Sequence, residues 1–160
     1  MLKVGDEAPE FETMDESGNL FRLSDHRGKR IVVYFYPKDD SPNSTRQARS
    51  FRDSFYVFED AGIPVVAISG GSIESHKRFK EKNLINFPIL MDEDYSIANL
   101  YGVHKPLRIL GKEFLGVQRI TFLIDCEGRV EAIFGGSEGK EKVNSNNHAE
   151  QIITHWKLQL

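Results

Sequence analysis

The chain has 160 residues, of which 39% are hydrophobic and 28% are charged, a balance that suits one soluble globular domain with its own core. Its formal net charge of −3, with both signs mixed along the sequence, argues against a nucleic-acid partner. The amino-terminal sequence MLKVGDEAPEF has no signal-peptide pattern, and no apolar stretch is long enough to span a membrane. We therefore expect a cytoplasmic protein without a membrane partner. The single Cys126 fits a reducing compartment because it cannot form an internal disulfide.

The first half of the chain is predicted to form a strand–helix–strand unit. Residues 31–36 are β-branched or aromatic throughout, which predicts a buried central strand. Apolar residues at helical spacing over 44–61 predict a helix, for which Ser41 and Ser44 are candidate N-caps. Residues 64–68 predict a second buried strand, and the connection through a helix makes the two strands parallel.

The second half is predicted to add helices and an antiparallel hairpin. In chain order the expected elements are a helix at 75–82, an extended piece at 87–90, a helix at 94–101, strands at 119–124 and 130–134, and a helix at 148–158. Residues 125–128, DCEG, form the turn of the hairpin. This order predicts a single α/β domain with a mixed sheet.

The segment around the first predicted strand carries a more specific pattern. Residues 34–45 read YFYPKDDSPNST, and together with FRD at 51–53 they resemble the active-site segment of the peroxiredoxins, above all of the Q-type or bacterioferritin-comigratory group. Further similar segments follow in the family's order: VGD at 4–6, LSD at 23–25, SHK at 75–77, YGV at 101–103 and TFLID at 121–125. The resemblance implies one thioredoxin-like α/β domain over residues 1–160, with a mixed central sheet flanked by helices.

The family's active-site pattern fits at two positions and fails at a third. It consists of a proline, a threonine or serine four residues later, and a nucleophilic cysteine three residues after that. These positions are Pro37, Ser41 and Ser44, so a serine stands where the chemistry uses a cysteine. Asn43 replaces the family's glycine, and Arg49 occupies the position at which some members carry a resolving cysteine.

The resemblance also implies how the site would act. Peroxide reduction needs a thiolate, which is favoured in the first turn of a helix by free N–H groups and the helix dipole. By the same resemblance Arg119 supplies a positive charge beside the nucleophile, Ser41 a hydroxyl hydrogen bond to the anion and the peroxide, and Pro37 shielding from water. No metal and no organic cofactor is implied. The five histidines show no metal-ligand spacing and suggest surface or capping roles.

Serine at position 44 predicts a pocket that holds peroxide without turning it over, because an alcohol is a much weaker acid than a thiol and forms no stable sulfenic acid. The implied function is a thiol-dependent peroxidase scaffold for hydrogen peroxide and organic hydroperoxides, recycled by thioredoxin or a similar thiol. The intact Pro37, Ser41 and Arg119 favour an engineered replacement of cysteine, whereas Asn43 favours a natural paralogue without activity. The alternative function is therefore a non-enzymatic member of the family with a binding or regulatory role.

Two other chemistries fit the sequence less well. A serine hydrolase needs a paired base, and no G-x-S-x-G pattern surrounds Ser44. A nucleophilic Cys126 would lie in a turn between acidic neighbours, which disfavour a thiolate. The peroxiredoxin hypothesis instead makes a geometric prediction. The strand after Arg119 should lie beside the first strand, so that Arg119, Ser41 and Ser44 meet in one small pocket walled by Pro37.

Overall fold

The computed structural model describes residues 2–159 as one α/β domain. In chain order its elements are β1 (Glu12–Met14), β2 (Leu20–Arg22), a 3-10 turn (Leu23–His26), β3 (Ile31–Phe35), α1 (Pro42–Asp53), α2 (Phe55–Asp60), β4 (Val65–Ser69), α3 (Ile73–Asn83), β5 (Ile89–Met91), α4 (Ser96–Leu100), β6 (His104–Ile109), β7 (Lys112–Val117), β8 (Ile120–Ile124), β9 (Val130–Phe134) and α5 (His148–Trp156).

A five-stranded mixed sheet forms the centre of the domain, with its strands in the order β5-β4-β3-β8-β9. Strand β3 is parallel to β4 and antiparallel to β8, and Phe35 at its carboxyl end pairs with Ile68 on one side and Ile120 on the other. Strand β9 returns antiparallel to β8. The thioredoxin-like fold with a mixed sheet, a parallel βαβ unit and a late hairpin is thereby confirmed.

The sheet buries both of its faces, which is why its strands are apolar throughout. Val32 and Tyr34 of β3 face the core shared with α1, α2, α3 and α5, whereas Val33 and Phe35 face the core beneath the amino-terminal segment and α4. All five residues of β3 are buried. The central strand is therefore fixed in position by packing on both sides, and its carboxyl end is a rigid base for the loop that follows.

The helix predicted over residues 44–61 consists of two helices. Helix α1 begins at Pro42, with Ser41 as its N-cap, and the helical conformation is interrupted at Ser54 before α2. Ser44 is therefore the third residue of α1, and its interpretation as an N-cap is wrong. The cap at Ser41 and proline in the first helical position start α1 earlier than apolar spacing indicated. No helix within residues 2–159 is long and apolar enough to cross a membrane.

Two small hairpins outside the central sheet were not predicted. Strands β1 and β2 pair with each other, and so do β6 and β7, which are joined through Leu110 and Gly111 with φ of 52° and 77°. Much of the β6–β7 hairpin is exposed, so its strands lack the alternation of a half-buried sheet. It nevertheless matters for the site, because its inner side lies beside the loop after β3.

Candidate active site

The loop after β3 ends in the capped first turn of α1. The Ser44 backbone N–H donates to Ser41 Oγ at 3.4 Å, and the Ser41 hydroxyl donates to the carbonyl of Lys38 at 3.2 Å. Both hydrogen bonds of the Ser41 hydroxyl are therefore local, one to the first turn of α1 and one to its own loop. Capping fixes the direction of the first N–H groups of α1, which is the feature that attracts an anion.

Sheet register brings Ser44 and Arg119 together although 75 residues separate them. Arg119 directly precedes β8, and the pairing of Ile120 with Phe35 places it at the carboxyl end of β3, next to the start of α1. A guanidinium N–H of Arg119 donates to Ser44 Oγ at 3.2 Å, and Ser44 is only 2% exposed. The hydroxyl at position 44 is thus buried against a cation in the first turn of a helix.

Gln47 holds the other side of the guanidinium, a contact that was not predicted. The second terminal nitrogen of Arg119 donates to Gln47 Oε1 at 2.8 Å, and Gln47 is fully buried. Burial lowers the pKa of Arg119, with the Tyr34 phenol opposing that effect, and an arginine keeps its charge in proteins. The usable sequence signal was helical spacing, because Gln47 lies three residues after Ser44 on the same face of α1.

A groove of about 580 Å³ opens above this contact. Its principal lining residues are Pro37, Lys38, Ser41, Asn43, Arg46, Tyr95, Leu107, Phe114, Leu115, Val117 and Arg119. One wall is polar and cationic, and the other is apolar and comes mainly from the β6–β7 hairpin. Pro37, Ser41 and Arg119 thus line one groove. Ser44 lies beneath this groove, where it contacts the Arg119 guanidinium. The groove is wider than the small pocket expected, because the unpredicted hairpin forms its second wall.

Cys126 lies far from this groove. Strand β8 leads from Arg119 at one edge of the sheet to the turn with Cys126 at the other, and Ile124 pairs with Ile31 at the start of β3. Five strand residues at about 3.3 Å each separate the two ends. Cys126 is exposed and has no disulfide partner, so it takes no part in the arrangement around Ser44.

Two of the five histidines are fully buried, which corrects the expectation of surface or capping roles. His76 contacts Asp39 and the carbonyl of Ser69. His148 bridges Thr121 of β8 and Gln151 of α5, and burial lowers its pKa to about 4. Within residues 2–159, no three or more metal-ligating side chains are grouped for a metal ion.

Comparisons with known proteins show the family of the chain. The model of the AhpC/TSA family matches residues 4–133. Peroxiredoxin Bcp of Escherichia coli K12 is 38% identical over 155 residues, covering 97% of this chain and 95% of that protein. A solved bacterioferritin comigratory protein of Xanthomonas campestris, studied for alkyl peroxide reduction, is 31% identical with a TM-score of 0.81, over 92% of this chain and 90% of its own.

A cysteine-to-serine mutant of the PrxQ protein of Xylella fastidiosa is also similar, with a TM-score of 0.87 and 27% identity over 98% of this chain and 96% of that one. The fold, the matched family and these relatives agree with one another. The chain belongs to the AhpC/TSA family, and within it to the Bcp/PrxQ peroxiredoxins, which are thiol peroxidases.

Proposed function

We propose that position 44 is the nucleophile position of a peroxiredoxin site, and that the chain with Ser44 holds peroxide without reducing it. The observation that carries this proposal is the 3.2 Å contact between Arg119 and Ser44 Oγ in the first turn of α1. A cation and free helix N–H groups at one buried atom suit a thiolate. With cysteine at that position, the site reduces hydrogen peroxide and organic hydroperoxides.

The reaction at a cysteine in position 44 balances without a cofactor. The thiolate attacks one peroxide oxygen, the O–O bond breaks, and the leaving oxygen takes a proton, which gives a sulfenic acid and water or an alcohol. Arg119 stabilises first the thiolate and then the charge that develops on the leaving oxygen. Pro37 shields the site from water, and Ser41 keeps the helix N-terminus in place through its cap. A dithiol such as thioredoxin, or two molecules of a simple thiol, then reduces the sulfenic acid to the thiol, with release of water and formation of a disulfide in the reductant.

Serine stops this sequence at its first step. The alcohol of Ser44 does not ionise at neutral pH, and a single arginine shifts a pKa by only about 1–3 units. Oxygen also cannot take up the oxygen atom of peroxide to form a stable product as sulfur does. The groove that Arg119 lines above the buried Ser44 hydroxyl therefore binds peroxide or another small hydrogen-bonding ligand without reducing it.

The groove above Arg119 supports organic hydroperoxides as substrates of the cysteine form. Tyr95 and the hairpin residues Leu107, Phe114 and Leu115 offer an apolar wall for an alkyl group, next to the cationic end where the hydroperoxide would sit. Alkyl peroxide reduction in the Xanthomonas campestris neighbour agrees with this reading. We place the reaction in the cytoplasm, where thioredoxin or a similar thiol is available.

A second candidate function is binding or regulation without catalysis. Ser44 and Asn43 together favour it, because both depart from the family pattern while the groove and Arg119 are retained. In this version the chain senses or sequesters a peroxide or a related ligand. The codon at position 44 in the encoding gene separates the two functions, since cysteine would indicate the enzyme and serine the binding protein.

The test is restoration of activity by Ser44→Cys in a Cys126→Ser background, which leaves one thiol in the chain. We expect the Ser44 chain to consume no peroxide above the blank with a thioredoxin system, and the variant to consume it with formation of a sulfenic acid detected by mass spectrometry. Ser44→Ala is the matched inactive control. Brisk turnover by the Ser44 chain, or an unreactive thiol at position 44, would refute the proposal.

A further inference from the structure

We propose that Asp39 and His76 form a buried latch that positions the loop of residues 37–41, and through it the first turn of α1, for chemistry at position 44. Both are positioning residues, since neither contacts Ser44 in the described structure. The inference rests on the proposed function for its catalytic consequence. The geometry of the latch stands independently of that function.

Asp39 ties the loop to two other parts of the fold. Its carboxylate accepts hydrogen bonds from the Tyr36 hydroxyl at 2.6 Å, the Ser75 hydroxyl at 2.7 Å and His76 Nδ1 at 2.7 Å. Tyr36 follows β3, whereas Ser75 and His76 lie in the first two turns of α3. The side chain of Asp39 is only 4% exposed, so solvent does not compete for these bonds.

His76 extends the latch to the end of β4. Its ring is fully buried, and Nε2 lies 3.2 Å from the backbone carbonyl oxygen of Ser69. A carbonyl only accepts hydrogen bonds, so Nε2 carries a proton. Burial raises the pKa of Asp39, but hydrogen bonds from His76, Tyr36 and Ser75 outweigh it and hold that pKa below its ordinary value. The carboxylate is therefore ionised, and Asp39 and His76 form a buried hydrogen-bonded pair.

The loop has no comparable anchor to another element among its other described side chains. Asp40 and Lys82 approach to 3.7 Å, but both are more than half exposed, and such pairs contribute little. Asp40 also has a φ of 63°, a left-handed conformation that is uncommon outside glycine and that needs support from its surroundings. Asp39 is next to it, so the latch holds the loop in this shape.

Gly71 leaves the space that the latch needs. A Cβ at this position would lie 3.0 Å from His76 Cε1 and 3.1 Å from Asp39 Oδ2, closer than ordinary contacts allow. The segment between β4 and α3 therefore packs directly against the side chains of Asp39 and His76. Four parts of the fold meet there: the loop, the end of β4, Gly71 and the start of α3.

Consequences for position 44 follow from the short connection. Asp39 lies two residues before Ser41, whose hydroxyl caps the Ser44 N–H. If the latch opens, the loop is free to move, the cap weakens, and the N–H groups and Arg119 no longer converge on one atom. Displacement of a site by about 1 Å can reduce a rate about a hundredfold.

The first experiment measures the latch in the Ser44 chain by amide hydrogen exchange of residues 43–46, which needs no peroxidase activity. We expect Asp39→Asn to accelerate exchange of the Ser44 amide at least about tenfold. The milder Ser75→Ala, which keeps the contact between Asp39 and His76, should have a smaller effect. Glu16→Gln is the matched control, because it removes a buried carboxylate that pairs with Lys80 of the same helix at 2.8 Å. Equal exchange in Asp39→Asn and Glu16→Gln would overturn the proposal.

The second experiment uses Ser44→Cys with Cys126→Ser and follows the pKa of the new thiol by its ultraviolet absorbance, together with its oxidation rate. Asp39→Asn should raise that pKa and slow oxidation at pH 7 by about tenfold to a hundredfold. For His76, asparagine can still donate to Asp39 whereas glutamine reaches toward Ser69, so His76→Asn should retain more reactivity than His76→Gln.

The outcomes separate the two proposals. An unreactive thiol in the parent overturns the proposed function, and hydrogen exchange then still decides whether the latch positions the loop. A reactive parent whose thiol is unchanged by Asp39→Asn and both His76 variants overturns the latch as a positioning device. Glu16→Gln should lower the melting temperature without moving the thiol pKa, and a similar shift there would show general loosening instead.

Discussion

The two walls of the groove are built in opposite ways. The wall formed by loop 37–41 and α1 is tied to the sheet and to α3 by buried hydrogen bonds, including those of Asp39 and the contact between Arg119 and Ser44. In the described structure, the β6–β7 hairpin that forms the other wall is a separate two-stranded sheet, and its residues Phe114 and Leu115 are 44% and 62% exposed. Chemistry that depends on distances of a few tenths of an ångström belongs on the first wall, and selection among substrates by apolar contact can rely on the second.

Among the substitutions that distinguish the two walls, the one that breaks the latch has the largest expected effect, which is a loss of unfolding free energy. Asp39→Asn removes the charged acceptor of three buried hydrogen bonds, from Tyr36, Ser75 and His76. Hydrogen bonds to a charged group contribute about 1.5–3 kcal/mol each, so weakening these three should cost about 3–5 kcal/mol of unfolding free energy. Urea denaturation at pH 7 measures this loss. Asp40→Asn is the matched control at an exposed pair, with an expected cost below about 1 kcal/mol, and asparagine tolerates its positive φ.

The same latch predicts that the protein loses stability as the pH falls. Burial raises the pKa of Asp39, but its hydrogen bonds hold it below the ordinary value in the folded protein. Its contribution to stability is therefore present above the carboxyl pKa of the unfolded chain and is lost as the pH falls through the folded pKa. A cost of Asp39→Asn at pH 7 no larger than that of Asp40→Asn would remove the distinction between the two walls.

Removing Arg119 tests the electrostatic part of the first wall. In Ser44→Cys with Cys126→Ser, Arg119→Ala should raise the pKa of the new thiol by about 1–3 units and slow peroxide reduction by about a hundredfold to a thousandfold. Stopped-flow oxidation across a pH series measures both quantities. Arg46→Ala is the control, because Arg46 lines the groove but donates to Asn43 and not to position 44. An unchanged thiol pKa would assign activation to the helix N-terminus alone.

The buried His148 lies behind the first wall, against Phe51 of α1, and it predicts that the stability of the protein depends on pH. Burial lowers its folded pKa to about 4, whereas a histidine in the unfolded chain titrates near 6.5. Between these two pH values the unfolded chain binds a proton that the folded chain does not bind. The free energy of unfolding therefore decreases as the pH is lowered from 6.5 to 4, by on the order of 3 kcal/mol. Urea denaturation from pH 7 to 4 should show this slope. It should flatten in His148→Gln and persist in His104→Gln, and a slope unaffected by His148→Gln would exclude this source.

Much of the fold could be predicted because it depends on local sequence. Residues 31–35 are apolar on both faces, which indicates a central strand, and the helical connection between β3 and β4 requires these two strands to be parallel. The pairing of Ser44 with Arg119 could be predicted only from the family pattern, because spacing in the sequence gives no distance between side chains that are 75 residues apart. The register of β3 and β8 supplies that distance in the structure.

The contacts that sequence reasoning missed depend on packing between distant segments. Asp39 and His76 meet only because the loop after β3 and the start of α3 lie at the same edge of the sheet. A histidine on an otherwise basic helix gives no sign of burial by itself. The β6–β7 hairpin was missed because its strands pair with each other and keep apolar residues such as Leu115 exposed, so no strand period marks them.

The hairpin gives the smallest expected effect and the sharpest test of its separate role. Leu115 lines the groove, and its partial burial by an alkyl group is worth about 1 kcal/mol, or about fivefold in rate. In Ser44→Cys with Cys126→Ser, Leu115→Ser should therefore slow reduction of a bulky organic hydroperoxide such as cumene hydroperoxide by about fivefold and leave hydrogen peroxide unaffected, because the smaller substrate does not reach the hairpin. Leu110→Ser is the matched control, since Leu110 is 97% exposed at the hairpin turn and lies outside the groove lining. Equal slowing of both peroxides would show that the hairpin also supports the reacting centre, and the two walls would then act as one.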